Sequence, residues 1–180
     1  HLTACFFLFS VLGWMVESIY MSFCNHKLTN RGFMTGPFCP IYGVGAVVGY
    51  LVLHPFANNL VALYFVGAVL ATVFEYLVAK LMLRLFGGVW WDYHDKPCNY
   101  KGIVCLESTI AWGFYAVIII TFLFDKIMKL IDRYPVAWGI RTIGLVFVMA
   151  LFDFGYHFAV ATGISGKCRR YISEYIESRK

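Results

Sequence analysis

Charge is what this sequence has least of. Asp, Glu, Lys and Arg make up 14% of its 180 residues, where soluble domains carry about 25%. In their place stand 61% hydrophobic and 19% aromatic residues, with a mean hydropathy of +0.71. A water-soluble fold of this size could not hide so much apolar surface. That leaves an all-α integral membrane protein. Other signatures are missing too. The six cysteines (Cys5, Cys24, Cys39, Cys98, Cys105 and Cys168) form no C-x-x-C pair, which excludes a thioredoxin-like or zinc-ribbon motif. Several lie in or beside apolar runs, where Cys behaves as a small hydrophobe, so free thiols are expected. There is no nucleophile elbow, H-E-x-x-H or P-loop. Neither a cofactor nor a metal is expected, and an enzyme is the less favoured class. The first apolar run is long and aromatic and has no small-residue cleavage site, so it reads as a span rather than a signal peptide.

What is present is a series of apolar runs. A helix needs about 20 apolar residues to cross the hydrocarbon. Five runs qualify, roughly Leu2–Phe23, Pro40–Phe56, Leu60–Phe86, Cys105–Phe124 and Val136–Thr162. The second is short and rich in small residues (Gly43, Gly45, Ala46, Gly49), which suits close helix packing. Lys and Arg set the orientation. Eleven fall on one side: Lys27, Arg31, Lys80, Arg84, Lys96, Lys101, Lys167, Arg169, Arg170, Arg179 and Lys180. Three fall on the other, in "DKIMKLIDRYP" (Lys126, Lys129, Arg133). This predicts an outside N-terminus and a cytoplasmic C-terminus. Asp125–Pro135 reads as a short amphipathic interfacial segment ended by Pro135, and its mixed charges make it a solvated connector. The tail "GKCRRYISEYIESRK" reads as a basic cytoplasmic helix near anionic headgroups, not as a nucleic-acid binder.

The chain echoes itself. Shifted by 70 residues, "RGFMTGPFCPIYGVGAV" (31–47) lies over "KGIVCLESTIAWGFYAV" (101–117), pairing Gly32 with Gly102, Gly43 with Gly113, Ala46 with Ala116 and Val47 with Val117. Arg31 then faces Lys101, and Tyr42 faces Trp112. Upstream, "VLGWMVE" (11–17) lies over "VLATVFE" (69–75), so Glu17 matches Glu75. The single transmembrane domain 1–180 is therefore read as a parallel two-helix repeat (about 6–56 and 60–124), a fifth span (136–162) and the tail 163–180. Parallel copies differ from the inverted repeats of many transporters.

Three carboxyls fall inside apolar runs: Glu17, Glu75 and Asp153. A charge at such depth costs a few kcal/mol on insertion scales, so it should face protein or water. One reading gathers the three around a polar cavity that takes a cation or carries protons. The other pairs them with Arg31, Lys101 or backbone groups as structural glue. His157 follows Asp153 at i+4 on one face, either as a proton relay or as a simple hydrogen bond. Arg141 is the one basic residue well inside a run.

The loops hold the remaining candidates. Pro37 and Pro40 suit a helix first turn, with Gly32 and Gly36 bending the chain before it and Arg31 nearby. The fourth run opens in the same way, with Lys101, Gly102 and then Glu107. Helix N-termini attract anions, so these two openings would flank one anionic group, a lipid phosphate or a carboxylate. The bland alternative is ordinary positive-inside loops. In "GGVWWDYHDKPCNY" (87–100), Trp90, Trp91 and Tyr93 fit an interfacial aromatic belt. Asp92, His94 and Asp95 match no metal motif.

The stretches "GWMVESIY", "NRGFMTGPFCPIYG" and "WWDYHDKPCNYKGIVCLESTIAWG" resemble a family of small bacterial membrane proteins known as "Putative ABC-transporter type IV". The likeness runs from about Phe6 to Phe124. It departs at Cys98, where a bulky apolar residue is expected. The resemblance implies a multi-pass permease-like component of the bacterial inner membrane, with a separate ATPase subunit as partner. From the residues come the further expected partners, membrane lipids and a second copy of the chain. A transporter or permease with an intramembrane acidic cluster is the leading expectation. The alternatives are a membrane enzyme acting on a lipid or isoprenoid headgroup through Asp92, Asp95 and Glu107, and an accessory or scaffold subunit.

Overall fold

The computed structural model describes residues 1–30, 34–89, 91–163 and 166. It is mostly helical. α1 (Leu2–Asn25) is a long apolar helix, ended by His26 in the left-handed conformation (φ 50°). α2 (Pro40–Leu53) begins at a proline, where the missing N–H has no helical partner to lose. It runs on into a 3-10 turn, His54–Phe56. Asn59 caps α3 (Leu60–Phe86) by accepting from the Ala62 N–H. Gly87, at φ 74°, closes α3.

A compact loop follows α3. It holds a two-residue antiparallel hairpin, β1 (Asn99–Tyr100) with β2 (Val104–Cys105). Gly102 lies at the turn with φ 65°, and a Cβ there would collide with the His94 ring. Cys105 and Ser108 then form a reciprocal capping box that starts α4 (Leu106–Ile118). α4 passes without a break through a π-helical turn (Ile119–Leu123) into α5 (Phe124–Asp132). Together they make a helical rod of roughly 40 Å. The fourth apolar run thus continues as helix into the segment expected to be a connector. After Pro135, α6 (Val136–Ala161) completes the described chain.

The helices pair as two hairpins, α1 on α2 and α3 on α4. Small residues allow each close approach. Gly43 lies against the Phe6 carbonyl and the Ser10 hydroxyl, and Gly113 lies against the Tyr64 ring. Gly67 meets Ala116, and Gly13 meets Tyr42. Phe124 locks the hairpins together: it is fully buried, stacks on Tyr50 at 3.8 Å and lies 5.5 Å from the Phe9 ring. Buried Phe7, Met34 and Phe38 receive Ile143, Val146 and Ala150 of α6. These three α6 residues are only partly buried, and α6 has no fully buried residue.

Three helices, within Leu2–Cys24, Leu60–Phe86 and Val136–Ala161, are long and apolar enough to cross a membrane. Pro40–Phe56 is a shorter apolar helix. The protein is a membrane protein. The cysteines among the described residues (Cys5, Cys24, Cys39, Cys98, Cys105) are free thiols.

Candidate functional site

Among the described residues, a dense polar cluster lies between α3 and α4. Glu75 on α3 is 7% exposed. Its carboxyl accepts from Trp112 Nε1 at 3.1 Å, from the Tyr93 hydroxyl at 3.1 Å and from Ser108 Oγ at 3.5 Å. Ser108 and Trp112 stand at i and i+4 of α4, so one helix face presents both donors. A Thr72–Thr109 hydrogen bond of 2.9 Å ties the same two helices. A buried polar group is tolerated when its partners are supplied in this way.

Tyr93 comes from outside the helices, and the loop is built to hold it. Its N–H donates to the Gly102 carbonyl at 2.9 Å, and its carbonyl accepts from the Lys96 N–H at 2.9 Å. Trp91 Nε1 donates to the Ile103 carbonyl at 2.8 Å. Asn99 Nδ2 donates to the carbonyls of His94 and Lys96, while its Oδ1 accepts from the Gly102 N–H. Burial pushes the Tyr93 phenol above its ordinary value of 10.0, and the Glu75 carboxyl adds to the shift, with Glu17 a weaker contributor. One phenol therefore lies within electrostatic reach of both intramembrane glutamates.

Glu17 is half-buried on α1, and the Tyr42 phenol of α2 faces it. The arrangement repeats in the second hairpin, where Trp112 of α4 meets Glu75 of α3. Asp153 takes different partners. Its carboxyl accepts from the backbone N–H of Gly36 at 2.9 Å and of Thr35 at 3.3 Å. His157 Nδ1 lies 3.0 Å from Asp153 Oδ1, and His157 Nε2 lies 3.2 Å from Thr35 Oγ1. Together the two side chains pin α6 to the loop before α2. Glu75 takes Tyr93, Trp112 and Ser108, Glu17 faces Tyr42, and Asp153 and His157 anchor a separate corner.

The loop candidates are dispersed. Lys101 is exposed, 5.3 Å from the Tyr100 ring centre, and left-handed at φ 56°. Glu107 is exposed and pairs with Lys96 at 2.8 Å; this contact raises the Lys96 pKa. Asp92 accepts from the His94 backbone N–H at 2.9 Å and also contacts the His94 ring. Those bonds, the backbone one first, hold its carboxyl below the usual range. Asp95 is exposed at the loop tip, and Trp91 is half-buried. Arg31 and Trp90 lie outside the described residues. Arg141 is exposed beside Trp138, 5.7 Å from its ring centre. Among the described residues, no three His, Cys, Asp or Glu side chains gather to hold a metal ion.

Sequence reasoning placed Tyr93 in an aromatic belt and gave Trp112, Tyr42 and Ser108 no role at the acids. The available signal was the pairing of Tyr42 with Trp112 in the echo: two ring donors at matching places, each opposite a glutamate. Two surface clefts, of about 610 and 280 Å³, are lined by Lys80, Leu81, Leu83 and Arg84 and by Leu60, Val61, Tyr64, Phe65, Phe114 and Val117. Neither is lined by Glu17, Glu75 or Asp153.

No curated protein and no solved structure matches the chain. The sequence model of one family, described as "Putative ABC-transporter type IV", matches residues 4–158, from the first turn of α1 almost to the end of α6. By that match the chain belongs to this ABC-transporter-related family of membrane proteins.

Proposed function

We propose that the protein is a permease-type subunit of an ABC-type transport assembly, in which Tyr93 closes the space between Glu17 and Glu75. In this reading five helical segments cross the bacterial inner membrane, with the N-terminus outside and the C-terminus inside. The two hairpins are copies of one parallel unit, and a separate ATPase subunit supplies energy. The observation that carries the reading is the Tyr93–Glu75 hydrogen bond, by which a loop residue reaches an acid inside an apolar helix. The reading extends it to Glu17 of the other hairpin, whose charge adds to the upward push on the same phenol. A loop residue that bonds a buried acid can open and close over it; opening needs only the loss of one hydrogen bond and a shift of the loop that carries Tyr93. The duplication is supported by matching contacts: Gly43 on Phe6 corresponds to Gly113 on Tyr64, and Tyr42 at Glu17 corresponds to Trp112 at Glu75.

A second reading is favoured by one specific observation. Glu75 has three donors, and neither surface cleft reaches it. An accessory subunit that braces a larger permease would need nothing more. The enzyme reading has less support, because Asp92 is engaged by His94 and Glu107 by Lys96.

Passive flux separates the first two. Wild type and Tyr93→Phe are reconstituted in liposomes and tested with a panel of small ions and neutral solutes. A gate predicts that Tyr93→Phe leaks at least one solute faster than wild type. Two equally tight proteins across the whole panel would move the assignment to the accessory subunit.

A further inference from the structure

We infer that the C-terminal end of α3 carries a binding site for the phosphate of an anionic phospholipid, made by Lys80 and Arg84. The two residues stand at i and i+4, on one face of the helix. Both are exposed, and with Leu81 and Leu83 they line the cleft of about 610 Å³. No carboxylate among the described residues pairs with either cation, although Lys96 in the following loop finds Glu107. Two like charges one turn apart, at the end of a membrane helix, call for a bridging anion. Long side chains can lift their charged ends to the headgroup level to meet it.

The apolar half of the ligand follows from the same face. Leu77, Leu81 and Leu85 recur every fourth residue and are 60%, 55% and 42% exposed. They form a continuous apolar strip beside the cations. A free anion has no use for that strip, whereas a phospholipid places its phosphate between Lys80 and Arg84 and its chain along the leucines. The favourable field at a helix C-terminus accounts for Arg84 alone. It does not explain Lys80, more than a turn earlier. With the orientation proposed above, the lipid belongs to the cytoplasmic leaflet.

Native mass spectrometry of the full chain in neutral detergent tests this. The probes are phosphatidylglycerol and phosphatidylcholine with the same acyl chains. Wild type should retain one saturable phosphatidylglycerol adduct in preference to phosphatidylcholine. Lys80→Gln/Arg84→Gln should weaken it about tenfold. The charge-preserving Lys80→Arg/Arg84→Lys should retain it, which separates charge loss from misfolding. Lys126→Gln/Lys129→Gln, elsewhere on the surface, should leave it unchanged. Equal retention of both lipids, an undiminished adduct in the Gln pair, or an equal loss in the Lys126/Lys129 pair would overturn the site. Displacement of the adduct by millimolar inorganic phosphate would reassign it to a free anion and overturn the lipid assignment.

Discussion

Each helical hairpin carries a glutamate on its first helix, yet the two treat it differently. In the α3–α4 hairpin, Glu75 is 7% exposed and receives three side-chain donors. In the α1–α2 hairpin, Glu17 is half-buried opposite Tyr42. Both hairpins pack through a glycine on the second helix, so close approach alone does not make the difference. In the second hairpin α4 supplies two donors, Trp112 and Ser108, and the loop supplies the third, Tyr93. The lesson is that burial of Glu75 depends on donors from the neighbouring helix and from the connecting loop together.

The sharpest way to break that comparison is to remove each acid. Glu75→Ala leaves three donors without their acceptor and should destabilise the fold by about 3 kcal/mol. Glu17→Ala should cost about 1 kcal/mol, since its carboxyl is only half-buried. Unfolding in detergent by SDS titration reads both values. Equal losses would mean that the two hairpins hold their acids alike.

Next come the packing glycines. A Cβ at Gly43 would lie 2.4 Å from the Phe6 backbone carbonyl, which cannot swing away. At Gly113 it meets the outer end of the Tyr64 ring, which can. Gly43→Ala should therefore cost about 2–3 kcal/mol and Gly113→Ala about 1 kcal/mol. The reverse order in the same unfolding assay would contradict the packing described for the first hairpin.

The ring donors sharpen the contrast further. Trp112→Phe removes one of the three bonds to Glu75 and should cost about 1–1.5 kcal/mol; Tyr42→Phe should cost about 0.5 kcal/mol. The smallest effect is with pH. The folded Tyr93 phenol titrates above its ordinary value of 10.0, so between that value and the folded one the native state binds more protons than the unfolded state. Its contribution to stability is complete below about pH 10 and declines as pH rises through the folded value. Tyr93→Phe should flatten the alkaline loss of stability. An unchanged slope would place the phenol in water.

Much of the helical layout was legible. Apolar run length alone marks Leu60 and Phe86 as the ends of α3 and Val136 as the start of α6, because membrane helices are defined by transfer energy over many residues. Pro40 marks the start of α2 through its missing donor. The amphipathic character of Asp125–Pro135 was legible, but its unbroken join to α4 was not. Asp125 and Lys126 end the apolar run, but backbone helicity persists past them through the π turn. The candidate acids stood out as isolated charges in apolar sequence. Their partners did not: Tyr93 reaches Glu75 only because Asn99, Gly102 and Ile103 shape the loop, and such long-range closure has no periodic signature. Asp153 is a similar case. Its partners are the backbone N–H groups of Thr35 and Gly36, which no side-chain pattern records.

The most direct test of the shared phenol is a pair of double-mutant cycles on stability in detergent, Tyr93→Phe with Glu75→Gln and Tyr93→Phe with Glu17→Gln. If one hydroxyl serves both hairpins, the first cycle should give a coupling of about 1 kcal/mol and the second about 0.5 kcal/mol. A coupling with Glu75 and none with Glu17 would confine Tyr93 to the α3–α4 hairpin and contradict the account.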